Sequence, residues 1–227
     1  FRQKYSELGN LRSFVPSGTP LLAASATFPP NILADVIQSL DISDKHLFIN
    51  LGNFRRNLKW ETRNLKSAAR GHTELRYVLT PGEPGQRKPI EQTLIYVNAK
   101  DESHYICNDL RSQVAPDKAS QEEINVYHAS HSSREKAKLL QDFKSGKIKI
   151  LICTEAAGMG CDFPRISLVI QYRVPDSLTS WLQRAGRGGR SSDSICRCII
   201  MVEPSFYNIR SLSASTSSTS STDSQQT

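Results

Sequence analysis

No stretch of the form G-x-x-x-x-G-K-[ST] occurs in these 227 residues. That loop cradles a triphosphate with backbone amides and a lysine, so the chain carries no such cradle. Cysteine is scarce as well: five residues, at 107, 153, 161, 196 and 198, with no C-x-x-C pair. The chain is therefore expected to be intracellular and reduced, with cysteines such as Cys153 and Cys196 serving as small hydrophobes in apolar runs. Neither Cys196 with Cys198 nor His128 with His131 has partners at zinc spacing, and no metal site is assigned. No apolar run reaches the ~18 residues of a membrane span and no signal-peptide pattern opens the chain, so no membrane partner is expected. Position 1 is phenylalanine rather than methionine, and further chain is expected upstream. Acid is in short supply too: 22 Asp and Glu against 29 Lys and Arg leave a net charge of +7. A polyanion, most simply nucleic acid, is the expected partner.

What is present alternates short apolar runs with helical patterns. "PLLAASA" (20–26) predicts a buried strand, followed by a Pro-started helix with Ile32, Leu33, Val36, Ile37 and Leu40 on one face. "LKWET" alternates apolar and charged residues at strand period, and Leu75, Val78 and Leu79 have helical spacing. "TPGEPGQRKP" (80–89) predicts a loop and "TLIYV" (93–97) a buried strand. After "NVYHAS", Ser132 and Glu135 spell a capping box, Leu139, Leu140 and Phe143 supply an apolar face, and Gly146 stops the helix. "IKILICT" (148–154), "ISLVIQY" (166–172) and "CRCIIMV" (196–202) predict further strands. A helix with Leu178, Trp181, Leu182 and Ala185 at i, i+3, i+4 and i+7 precedes the last of them. From about 211 onward the chain is nearly all Ser, Thr and Gln, and disorder is expected there. Strands alternating with helices imply an α/β fold with a mostly parallel sheet and helices on both faces.

"QRAGRGGR" (183–190) packs three arginines and three glycines into eight positions at the end of the Trp181 helix. Arginine forks bind phosphate oxygens bidentately, and glycine lets a backbone press close to such a ligand. A helix C-terminus also favours cations electrostatically, which explains basic residues there without a ligand. Arg184 is read as a surface charge, and Lys144, Lys147 and Lys149 as a solvated face.

"SAT" (25–27), "ILICTEAAGMGCDFPRI" (150–166) and "QRAGRGGR", in that order, resemble motifs III, V and VI of superfamily 2 helicases. The closer resemblance is to the RecQ family. "FRQKYSELGNLR" at the start resembles the stretch just after that family's DExH box, "FRRNL" (54–58) its interdomain junction, and "LIYVNAK" its motif IV. DEAD-box RNA helicases usually carry Ala-Arg-Gly-x-Asp in motif V and His-Arg-Ile-Gly-Arg in motif VI, whereas this chain has "AAGMGCD" and "QRAG". The resemblance implies the end of a first RecA-like domain over 1–52, a second RecA-like helicase domain over 53–205, and a tail over 206–227.

It also implies ATP with magnesium as cofactor, DNA as partner, strand separation in the 3′-to-5′ direction and a nuclear location. Arg187 and Arg190 match the paired arginines that close over the γ-phosphate, and Gln183 the first position of their motif. Asp162 matches a group that reaches the ribose, with Gly160 beside it. Thr154, Gly158, Asn98 and His128 match positions near the DNA backbone, and Ser25 with Thr27 the motif coupling hydrolysis to domain movement. Plainer readings stand beside these: Asp162 capping a turn before Pro164, Thr154 finishing a strand, His128 packed at a strand end. "DESH" (101–104) imitates a DExH box, but it follows "SAT" rather than preceding it, and Asp101 reads as a helix start. Two other functions fit the same residues: a non-catalytic nucleic-acid-binding module, and an RNA helicase.

Overall fold

The computed structural model describes residues 3–52, 54–66, 71–79, 90–114, 118–155, 163, 165–191 and 194–207. They fall into two compact units, residues 1–55 and 56–227. The predicted loop at 80–89 and the Ser/Thr-rich tail from 211 lie outside the described residues.

In the first unit a 3-10 helix spans Gln3–Phe14 and α1 spans Pro30–Ser39, with Pro30 at its start as the sequence predicts. "PLLAASA" forms no strand. It is irregular, with Leu21 47% and Leu22 88% exposed. A strand needs a neighbour for its backbone groups, and the described residues of this unit contain no other strand to pair with it.

The second unit is built on a six-stranded sheet in the order β1-β6-β5-β2-β4-β3, with every pairing parallel. The strands are β1 Leu58–Asn64, β2 Thr93–Tyr96, β3 Ile124–Tyr127, β4 Ile150–Cys153, β5 Leu168–Tyr172 and β6 Cys196–Val202. The helices are α2 Lys100–Val114, α3 Lys118–Glu122, α4 Ser133–Lys144 and α5 Leu178–Ala185, with a 3-10 helix at Gly71–Leu79. Successive strand residues point to opposite faces, and both faces are covered. Ile95 and Val97 of the β2 run join Ile106, Leu110 and Leu75 on one side. Leu94 and Tyr96 join Phe143, Trp181 and Ala185 on the other. This double burial is why "TLIYV" and "ISLVIQY" read as continuous apolar runs.

The capping box of α4 is present: the Ser132 hydroxyl accepts from the Glu135 N–H (3.3 Å), and the Glu135 carboxylate accepts from the Ser132 N–H (2.9 Å). Gly146 follows that helix at φ +80°. Asp101 sits in the first turn of α2, so "DESH" is helix and not a strand-end acid. β3, ending just before His128, lies at the sheet edge.

Candidate functional site

The register of the sheet brings four strand ends to one rim: Tyr127 lies beside Cys153, Cys153 beside Tyr96, and Tyr96 beside Gln171. Loops beyond the carboxyl ends of parallel strands are where ligands of such sheets bind. His128, Thr154 and Asn98 follow these strands by one or two residues, so three of the residues matched to DNA contacts share this rim. Thr154 is half-buried, its N–H donating to the Tyr127 carbonyl (3.3 Å), and Asn98 is exposed. Asn98 Nδ2 donates to the Val174 carbonyl (2.8 Å), while its Oδ1 accepts from Gln171 Nε2 (3.3 Å).

The exit of α5 lies against the same sheet. Gly186 caps the helix, and the N–H groups of Arg187, Gly188 and Gly189 donate to Arg184, Ala185 and Ile166 carbonyls. The two following glycines are buried, and their role is internal. A Cβ on Gly188 would stand 2.2 Å from Cys196 Sγ and 3.1 Å from Val169 Cγ2. Gly189 has φ +60°, and its Cβ would stand 2.7 Å from Asn57 Nδ2, which clamps the turn by donating to the Gly189 and Ser194 carbonyls. The expectation that these glycines admit a nucleotide is thus corrected: they admit β6. Arg187 emerges half-buried and Arg190 exposed, the latter donating from Nε to the Gly186 carbonyl (3.3 Å). Gln183 is exposed on the helix. Two guanidiniums within five residues of a helix end suit a phosphate in charge, and a guanidinium fork can bind its oxygens bidentately.

Arg184 is not a surface charge. It is 6% exposed, its Nε and Nη2 on the Glu155 carboxylate and its Nη1 2.6 Å from Gln171 Oε1. Its guanidinium also stands 5.4 Å from the Tyr96 ring centroid. The sequence signal existed: Trp181, Arg184 and Ala185, at i, i+3 and i+4, are the buried residues of α5, while Leu178 is 70% and Leu182 36% exposed. Gln171, fully buried within an apolar strand, was the second signal, because a buried amide requires partners.

The sequence profile of the helicase conserved C-terminal domain matches residues 72–192. This chain belongs to that family. Its relatives include the ATP-dependent DNA helicase RecQ of Pasteurella multocida, 27% identical over 91% of this chain and 30% of that protein. A RecQ-like DNA helicase of Caenorhabditis elegans is 29% identical over 84% of this chain and 18% of that protein. A putative ATP-dependent RNA helicase of Acanthamoeba polyphaga mimivirus is 28% identical over 92% and 34%. The chain thus spans about a third or less of the length of these relatives. Among solved structures, Dbp5 of S. cerevisiae gives a TM-score of 0.65 at 20% identity, over 95% of this chain and 53% of that one. A DEAD box protein of Methanococcus jannaschii gives 0.55 at 21% identity, over 84% and 47%. The DEAD-box likeness is one of fold, RecA-like; the likeness in sequence is to RecQ-like superfamily 2 helicases and to that RNA helicase, to whose C-terminal helicase domain this chain corresponds.

Within this helicase domain His128 is a packed histidine, 5% exposed. Its Nε2 lies 3.0 Å from His104 Nε2, and its ring stacks on His131 at 4.0 Å and 11°. Burial, and then the neighbouring His131, His104, Lys100 and Lys136, push its pKa down. Burial also depresses His131, partly offset by Glu135. The unfolded chain therefore takes up protons before the folded one does. Stability held above the ordinary histidine pKa of about 6.5 is lost as pH falls through the depressed folded values. The midpoint of thermal unfolding is expected to drop between about pH 7 and pH 5, and His128→Gln to flatten that drop. An equally steep profile in the variant would refute the histidine account.

Arg173 has φ +67° and pairs with Glu102 at 3.0 Å. In the first unit, Ser25 Oγ donates to the Thr27 carbonyl (2.9 Å) and accepts from its N–H (3.2 Å), a local turn exposed to solvent. Gly158, Gly160 and Asp162 lie outside the described residues. Among the described residues no group of three or more side chains could hold a metal ion. Glu155, the carboxylate at this rim, is engaged by Arg184, so no magnesium ligand is assigned to it.

Proposed function

We propose that this chain is the phosphate-closing, strand-gripping half of an ATP-dependent DNA helicase that separates strands in the 3′-to-5′ direction. The observation that carries this reading is the α5 exit. Arg187 and Arg190 leave a helix whose following turn is locked onto the starts of β5 and β6, while Arg184 of the same helix reaches the rim that presents Asn98 and Thr154. Bound ATP with magnesium supplies the phosphoryl group for transfer. Arg187 and Arg190 neutralise the charge that builds on its equatorial oxygens, while Gln183 lies one turn before them. Asp162 and Gly160 keep the nucleotide-side role that the resemblance implies, and Thr154, Gly158 and Asn98 the DNA-side role; His128, packed against His104 and His131, is assigned none. Ser25 and Thr27 keep the implied role of coupling hydrolysis to domain movement, and the protein works in the nucleus.

Without a G-x-x-x-x-G-K-[ST] loop, the 227 residues alone are expected to show no DNA-stimulated ATP hydrolysis. They are still expected to bind single-stranded DNA weakly, through lysine, arginine and backbone amides. Such binding releases counterions, so log affinity falls against log salt with a slope of about −0.7 per phosphate neutralised. Fluorescence anisotropy across a salt series, beside a phosphate-release assay, checks both. Salt-insensitive binding removes the electrostatic argument, and robust phosphate release by the chain alone removes the half-helicase reading. Joined to an ATP-binding lobe, the chain is expected to open duplexes with a 3′ DNA tail in preference to those with a 5′ tail. Preference for an RNA tail would move the assignment to the RNA helicases, the class named for its mimivirus relative.

A further inference from the structure

We infer that Arg184 is a positioning residue that makes the nucleic-acid rim and the phosphate-facing exit of α5 move as one piece. The inference rests on the proposed function for what each end binds; the linkage itself is a matter of geometry. Among the described residues, Arg184 is the one arginine, lysine, aspartate or glutamate that is buried. A charge withdrawn from water is retained only where its donors find partners. Here the partners come from three strand ends. Glu155 follows β4, Gln171 lies in β5, and Asn98, whose Oδ1 is 3.5 Å from Arg184 Nη1, follows β2. Gln171 completes the link, donating from Nε2 to Asn98 Oδ1 (3.3 Å) and to the carbonyls of Tyr172 (3.2 Å) and Arg173 (3.0 Å).

The other end of the linkage is backbone. The Arg184 carbonyl accepts from the Arg187 N–H at 3.1 Å, within a turn that Gly188 and Gly189 hold against β6. A displacement of Asn98 or of the Glu155 segment by a bound strand is thereby passed to Arg187 without an intervening mobile loop. Lysine cannot replace this group, because an ammonium is a point charge and lacks the planar fork that reaches Glu155 and Gln171 together.

The test compares Arg184→Lys, Glu155→Gln and Arg190→Ala in the helicase that contains this chain, with thermal unfolding recorded for each. Expected for Arg184→Lys is a fall of about tenfold in strand separation per ATP hydrolysed, with KM for ATP within about twofold, as small misplacements near reacting groups produce. A residue that merely stabilised the fold would not move that ratio. Glu155, with its side chain 60% exposed, is expected to tolerate glutamine and to give a smaller loss of the same kind, which keeps the test open if Arg184→Lys does not fold. A ratio left at the wild-type value in a protein whose turnover Arg190→Ala abolishes overturns the inference and leaves the functional reading standing. Turnover untouched by Arg190→Ala overturns the functional reading, and the inference with it.

Discussion

Arg190→Ala, in a protein where this chain is joined to an ATP-binding lobe, is expected to lower ATP turnover by at least about two orders of magnitude. Arg190 is exposed four residues beyond the cap of α5, where its guanidinium can meet a phosphate presented from another lobe. A well-placed arginine stabilises charge spread over the transferring phosphoryl oxygens, and the rate carries that stabilisation exponentially. Single-stranded DNA binding is expected to stay nearly intact, because Asn98 and Thr154 follow β2 and β4 whereas Arg190 lies beyond the exit of α5. Steady-state phosphate release and anisotropy on the same preparation separate the two effects. Equal loss of both would place Arg190 on the nucleic acid instead.

Gly188→Ala is expected to destabilise the second unit by about 3 kcal/mol, through overpacking of a site that has no room for a methyl group. The added carbon would fall 2.2 Å from Cys196 Sγ, well inside contact distance, with Cys196 fully buried at the start of β6. Denaturant midpoints measure the loss. Cys196→Ala in the same chain removes the sulfur and is expected to recover part of it, giving a coupling of about 1 kcal/mol or more in a double-mutant cycle. Gly186→Ala serves as the contrast: its φ is −62° and the nearest atom to an added Cβ stands at 3.1 Å, so it is expected to cost less. Equal destabilisation at 186 and 188 would mean that the glycines serve the helix end and not the seat on β6.

Much of this fold is set by local chemistry that a sequence displays directly. The Ser132–Glu135 box needs only residues three apart, and the apolar runs of β2 and β5 announce strands buried on both faces. The order of short motifs likewise placed the chain among the helicases before any packing was known. Tertiary structure decided what depends on neighbours distant in the chain. "PLLAASA" has every mark of a buried strand, yet it forms none where the described residues of its unit offer no strand beside it. Arg184 carries the same charge as Arg187 three residues on, and only the presence of Glu155 and Gln171 across 29 and 13 residues makes one a buried link. The glycines of "QRAGRGGR" suit a nucleotide or a sheet equally well by composition. Cys196 beneath Gly188 settles which, because a 2.2 Å approach leaves space for no side chain at all.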